Sequence, residues 1–148
     1  MLGLVFLFKL VDSVGIKNKI YLRRDFSMVE HKKYSDVFLR LTYETAIVTF
    51  IKKDGTVRIM LCTRNIKTAS LVNNYAAEKL GAHDKRCSIA NGNIAVIDLE
   101  LGEARSFGID RVSDIRYLGE VTAQDLERVI GECNEYRNWF NQQKQIGE

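Results

Sequence analysis

The sequence predicts a mainly β chain with helices: one small antiparallel β-barrel of about five strands, with an inserted helix and a C-terminal amphipathic helix. Three observations predict it. A β-branched run, "TYETAIVTFIKK" (42–53), meets Asp54-Gly55 and a returning run, "TVRIMLCT" (56–63), which is the pattern of a hairpin. A second hairpin reads from strands at 94–101 and 104–109 joined near Gly102, with another strand-like run at 113–121. The segment from Thr122 onward repeats apolar residues at helical spacing.

Taken in order, the opening "MLGLVFLFKLVD" is apolar, but its run stops at Lys9, no basic stretch precedes it and no small-residue cleavage site follows. It is also short of the roughly twenty apolar residues of a membrane span, so it reads as a strand or an extension, and no membrane association is expected. "KNKIYLRR" (17–24) alternates weakly, as a strand does, and translation from Met28 would leave the downstream core intact. Residues 28–41 place Val29, Lys33, Val37 and Leu41 at helical spacing. On the returning strand, Val57, Ile59 and Leu61 share one face while Arg58 shares the other with Met60 and Cys62. An arginine there stands on an otherwise apolar face.

Residues 65–81 predict one helix, with Ile66, Ala69, Val72, Ala76 and Leu80 at three- and four-residue steps and Gly81 as its stop. A polar, solvent-facing and mobile loop is expected at 82–93. In the last helix Thr122 is the expected N-cap, with Asp125 at the capping-box position. Leu126, Val129, Ile130, Cys133, Arg137 and Phe140 form one stripe, and Trp139 lies close by. The expected organisation is an N-terminal extension at 1–41, the barrel at 42–121 and the C-terminal helix at 122–148.

The 148 residues suffice for one core without metals or disulfides. With 46% hydrophobic and 28% charged residues the chain falls outside the disordered and membrane classes. Cys62, Cys87 and Cys133 are scattered without a C-x-x-C pair, and His31 and His83 stand alone, so no zinc site is expected and the thiols suit a reducing compartment. The net charge of +3 is uneven: residues 1–41 hold eight Lys/Arg against four Asp/Glu, and residues 120–148 hold three against six. Such a bias is compatible with an anionic partner without requiring one.

Catalytic signatures are lacking: there is no G-x-S-x-G, P-loop or H-E-x-x-H, and Asp98, Glu100 and Glu103 fall on one strand and its turn, where carboxylates are usually solvated. A non-catalytic chain without cofactors is the expectation. The informative residues are Arg58, Arg64, Lys67, Arg105 and Ser106, with Thr63, Arg111 and Arg116 beside them. Guanidinium forks and hydroxyls on one rim would bind phosphate. The competing reading pairs Arg58 with Asp98, and Arg111 with Asp110 or Asp114, as surface ion pairs of little consequence. A third reading has Arg105 holding the barrel through a buried pair.

"IKKDGTVRIMLCTRN" (51–65) and "IDLELGEARSFGIDRVSDI" (97–115) resemble the WYL-like small-barrel proteins of tailed bacteriophages, with their Sm-like, SH3-type barrel. The segment R-x-F-x-[IL]-D-R-[IV] of the bacterial WYL domain reads here as Arg105, Phe107, Ile109, Asp110, Arg111 and Val112. The likeness covers residues 44–118; the Trp-Tyr-Leu tripeptide is missing, and Ala104 stands where phage relatives carry an aromatic. The resemblance implies a non-catalytic regulator in a host bacterial cytoplasm that binds nucleic acid or a nucleotide, a cyclic-nucleotide signal included. On that reading Arg58, Arg64, Lys67, Arg105 and Ser106 hold phosphates, and Tyr43, Phe50 or Tyr117 offers an aromatic face. The alternative is an accessory protein that binds a host protein, RNA polymerase or an anti-phage defence component, through the 82–93 loop and the last helix, with Trp139 and Phe140 as anchors. Exposed strand edges would also permit a homo-oligomer.

Overall fold

The computed structural model describes residues 28–146, with side chains to Lys144. The expectations for residues 1–27, the strand at 17–24 among them, lie outside the described residues. By its contacts the chain divides into residues 1–32 and 33–148; of the first unit, residues 28–32 are described, and they open the first helix.

That helix, α1 (Met28–Tyr43), buries Tyr34, Val37 and Leu41. The spacing is helical, as expected, but Val29 is 74% exposed and Lys33 is exposed as well. The buried stripe runs through Tyr34 rather than Lys33, because the bulky ring one position further round supplies the apolar face. The first hairpin follows, with β1 (Thr45–Ile51) and β2 (Val57–Thr63) paired from Thr45↔Thr63 to Ile51↔Val57. Its turn is a three-residue loop, Lys53 to Gly55, rather than a two-residue one: Lys52 N–H donates to the Thr56 carbonyl at 2.8 Å, and Gly55 N–H to the Lys52 carbonyl at 2.9 Å. Gly55 takes φ 89°, the left-handed position that such a loop requires. Asp54 Oδ1 accepts from Thr56 N–H and Oγ1 and fixes the loop.

The single helix expected at 65–81 is two: α2 (Ile66–Ala69) and α3 (Ala76–Asp84). Asn65 caps α2 by accepting from Lys67 and Thr68 N–H. The chain then breaks at Asn73, whose Nδ2 donates to the Gly102 carbonyl at 2.7 Å while its Oδ1 accepts from Tyr75 N–H. Asparagine competes with the helical ladder in this way, and here it ties the break to the second hairpin. Gly81, expected as a stop, lies inside α3. The following loop is polar and largely exposed, and Asn91 knits it together: its Oδ1 accepts from Ser88 and Asn93 N–H, and its Nδ2 donates to the Arg86 carbonyl.

The second hairpin is β3 (Asn93–Asp98) and β4 (Glu103–Gly108). One 3-10 turn (Ile109–Arg111) leads to β5 (Val112–Tyr117), and α4 (Leu126–Ile146) ends the described chain. Ahead of α4, Asp125 Oδ2 accepts from Thr122 Oγ1 at 2.9 Å and Thr122 N–H at 3.3 Å, the reciprocal half of a capping box.

The five strands form one antiparallel sheet in the order β4-β3-β2-β1-β5. On one face α4 sets Val129 and Cys133 against Ile47, Ile59 and Leu61, while α2 and α3 set Ala69, Ala76 and Leu80 against Ala95 and Ile97. The other face turns inward on itself, with Val48, Met60 and Val96 at most 1% exposed. Phe50 of β1 meets Phe107 of β4 at 5.6 Å between ring centroids, although two strands separate β1 from β4 in the sheet, so the sheet curls strongly. No ladder joins β4 to β5 among the described residues, so the barrel is not closed. At 44% helix and 27% strand among the described residues the class is mixed α/β rather than mainly β. The five strands lie in the expected order, with β3 and β5 ending earlier than expected at Asp98 and Tyr117, and the two expected helices α1 and α4 hold most of the helix.

Candidate functional site

β2 pairs with β3 at only two positions, Cys62↔Asp98 and Thr63↔Ile97. The reason is local. Asp98 ends β3 by accepting from Glu100 and Leu101 N–H at 2.9 and 3.1 Å, and this turn swings the hairpin tip away from β2. The first half of β2, Val57 to Met60, is left without a neighbour on that edge, and α4 crosses the gap. The result is a cleft of about 500 Å3 between β2, the β3–β4 tip and the end of α4.

Arg137 secures the crossing. Its Nη2 donates to the Ile59 carbonyl at 2.9 Å and to Glu100 Oε1 at 2.7 Å, and its Nη1 donates to Asn134 Oδ1 at 2.6 Å. The hydrogen bonds it donates to Glu100 hold its pKa above the ordinary arginine value. Arg137 and Glu100 thus neutralise each other, and Asp98 is engaged in its turn. Three other cations line the cleft: Lys52 at the end of the first strand, Arg58 on β2 and Lys144 in the last turn of α4. None of the ion pairs among the described residues involves them. Phe140, Val57 and Leu101 supply apolar wall between them, with Val57 39% and Leu101 58% exposed.

Of the residues singled out in the sequence, Arg58 and Phe140 line this cleft; Arg64, Lys67, Arg105, Ser106 and Trp139 do not. Arg64 is 11% exposed and held by the end of its guanidinium: Nη1 donates to Asp84 Oδ1 at 2.8 Å and the Ala95 carbonyl at 2.7 Å, and the guanidinium lies 4.0 Å from the Phe38 ring centroid. That is a structural tie between α1, α3 and β3. Lys67 is 85% exposed, 3.9 Å from Glu120. Arg105 pairs with Glu103 at 3.1 Å, both partners open to solvent, while its Nε is buried without a partner. Ser106 follows it on the same strand and therefore points to the opposite face. Arg105 and Ser106 do not share a rim.

The expected pair of Arg58 with Asp98 is not formed. Arg111 instead donates to the Lys52 carbonyl at 3.1 Å and supports the hairpin from which Lys52 projects. Arg116 lies 3.7 Å from Asp114 and over the Tyr136 ring. Among the aromatic candidates, Phe50 is buried against Phe107 and Tyr117 is covered by the Arg40 guanidinium at 3.6 Å. Tyr43 is 65% exposed but lies outside the cleft. Lys52 and Lys144 went unnoticed in the sequence. Lys144 was accessible to pattern reasoning, since 137, 140, 141 and 144 continue the stripe of α4 at helical spacing.

A second hollow, about 390 Å3, is lined by Tyr34, Phe38, Asp84 and Cys87 among others. Burial pushes the Cys87 thiol up, which keeps it protonated near neutrality, and the neighbouring His83 is pushed down by burial and by Arg86. No group of three or more His, Cys, Asp or Glu side chains among the described residues is placed to hold a metal. No described helix is long and apolar enough to cross a membrane.

Fold and cleft together define a mixed α/β chain built on a curled five-stranded antiparallel sheet with a basic cleft at one strand edge. No family model, curated protein or solved structure matches the chain.

Proposed function

We propose that the chain is a non-catalytic small-barrel module of the SH3/Sm type, related to the WYL-like phage proteins, that holds nucleic acid or a nucleotide by its phosphates in the cleft beside β2. The barrel reading is supported by the order β4-β3-β2-β1-β5, the 3-10 turn between β4 and β5, and the Phe50–Phe107 contact across the curl. The binding reading is carried by one observation: Lys52, Arg58 and Lys144 converge on a cleft whose carboxylates, Asp98 and Glu100, are already engaged. Lys52, Arg58, Arg137 and Lys144 against Asp98 and Glu100 leave the described lining with an excess of positive charge, which favours an anionic ligand. Relative to the expectation from sequence, the site keeps Arg58, loses Arg64 to the fold, and gains two lysines.

Protein purified at low salt, then denatured, should release nucleotide or nucleic acid detectable by absorbance and mass spectrometry. The doubly substituted R58A/K144A protein should release none while melting as the parent does. Equal release from both proteins overturns the assignment to this cleft.

A second reading, docking of a host protein on α4, is favoured by Trp139, which is 50% exposed while stacked on Tyr136 at 5.8 Å. A rigid, half-exposed tryptophan is the usual anchor of an interface. On this reading Trp139→Ala abolishes capture of the partner and added salt changes it little.

A further inference from the structure

We infer that the cleft takes one nucleotide-sized ligand, an aromatic base carrying one to three phosphates, and does not track a nucleic-acid strand. This rests on the phosphate reading above and narrows it. Three features of the cleft carry the inference. The first is size: about 500 Å3 falls in the range of small-molecule sites.

The second is the bounded charge. Among the described residues the lining cations that form no ion pair number three, placed at the end of β1, on β2 and at the end of α4. Beyond them the wall is neutral, with Glu100 at the hairpin tip bonded to Arg137. A strand leaving the cleft on that side would meet no unpaired cation of the described lining to hold its phosphates. A strand-tracking groove instead repeats cations along its length and offers stacking platforms in series, whereas here Phe140 is the one aromatic side chain in the lining among the described residues.

The third feature is the apolar wall. Leu101 and Val57 are substantially exposed at the mouth, and with Phe140 they give a surface that inorganic phosphate alone would not cover. A flat base fits between the Leu101 and Phe140 sides while its phosphates reach Arg58 and the two lysines. The Ile59 carbonyl already faces this edge toward Arg137, and in an antiparallel strand the N–H of the same residue points the same way. Ile59 N–H is therefore on the cleft side as a further donor.

The test is calorimetric titration of the full chain at low salt with four probes: inorganic phosphate, AMP, ATP and a twelve-nucleotide single-stranded oligonucleotide. AMP or ATP should bind one to one, at least tenfold more tightly than inorganic phosphate. Three neutralised phosphate charges limit the slope of log K against log salt to about −2 for a single strand, so the measured slope should be no steeper. Lys144→Ala should weaken nucleotide binding about tenfold. Leu101→Ser, at an exposed position, should weaken nucleotide but not phosphate binding; equal effects on both overturn the base wall. If the oligonucleotide binds with a slope steeper than about −3 while AMP and ATP do not bind, this inference fails and the phosphate reading stands. If none of the four probes binds, both fail.

Discussion

Arg64 offers the sharpest test of whether the structure has separated ligand-binding arginines from structural ones. In Arg64→Ala the Ala95 carbonyl loses a charged donor at 2.7 Å, which costs about 1.5–3 kcal/mol. Loss of the guanidinium from the Phe38 ring at 4.0 Å adds about 0.5–2 kcal/mol. Asp84 is 38% exposed, so solvent screens its share of the ion pair and only about 0–1 kcal/mol is assigned to it. Against these, Arg64 Nε is buried without a partner, and removing it returns part of the loss. The expected net is a destabilisation of about 2–4 kcal/mol, which lowers a urea midpoint by roughly 1–3 M at ordinary slopes. Arg64→Lys should recover only part, because an ammonium cannot both stack and reach two acceptors. Anion affinity of the folded variant should not change. A midpoint within about 0.3 M of the parent, or a loss of anion binding by a fully folded variant, would refute the structural assignment.

Other consequences can be checked on the same preparations. A Cβ at Gly81, inside α3, meets nothing within 4 Å, so Gly81→Ala should stabilise by about 0.5–1 kcal/mol. Gly102→Ala should do the reverse, by about 1–2 kcal/mol, because Gly102 sits at φ 72° with the Val72 carbonyl oxygen 3.3 Å from the added Cβ; thermal melts moving in the opposite senses would contradict both. In native protein at pH 8 a thiol reagent should reach Cys87 alone: Cys62 and Cys133 are fully buried, and burial pushes Cys133 up to about 11 and Cys62 higher still. Mass spectrometry finding Cys133 labelled before unfolding would count against the packing of α4. Hydrogen bonds from Thr122 hold the Asp125 carboxyl below its ordinary 3.8. A depressed carboxylate contributes stability that is present above the unfolded value and lost as pH falls through the folded one. Helical signal in the parent should therefore decline on the acid side, and Asp125→Asn should lower it at pH 6 but not at pH 2. Identical acid titrations would rule out the cap.

The legible parts of the fold were those written in local chemistry. Asp54-Gly55 between two β-branched runs located the first hairpin, Gly102 located the second, and Thr122 with Asp125 located the start of α4. The illegible parts depended on contacts distant in sequence. Residues 65–81 have good helical periodicity throughout, yet the helix breaks because Asn73 finds the Gly102 carbonyl, 29 residues on. In α1 the sequence admits two neighbouring stripes, and the choice falls on Tyr34, whose hydroxyl donates to the Asn93 carbonyl at 2.8 Å, 59 residues away. Periodicity identifies a face only to within one step when polar and apolar residues alternate this closely.

The site was legible to a smaller degree, for a physical reason that its arginines illustrate. An arginine in a sequence is a charge of known sign and unknown partner, and a ligand sees only charges that the fold has not already neutralised. Arg64 and Arg58 are six residues apart and chemically identical, yet Arg64 directly follows β2 where α1 and α3 converge and finds an aspartate, a carbonyl and a ring. Arg58 starts the same strand where its β3 neighbour has turned away. The difference is set by Asp98, which stops the ladder two pairs after it begins and so opens the edge that α4 crosses. Replacing Asp98 with a residue unable to accept from Glu100 and Leu101 N–H would let the hairpin tip move toward β2 and narrow the cleft. The position that decides the shape of the cleft is therefore an aspartate whose side chain bonds only to its own turn.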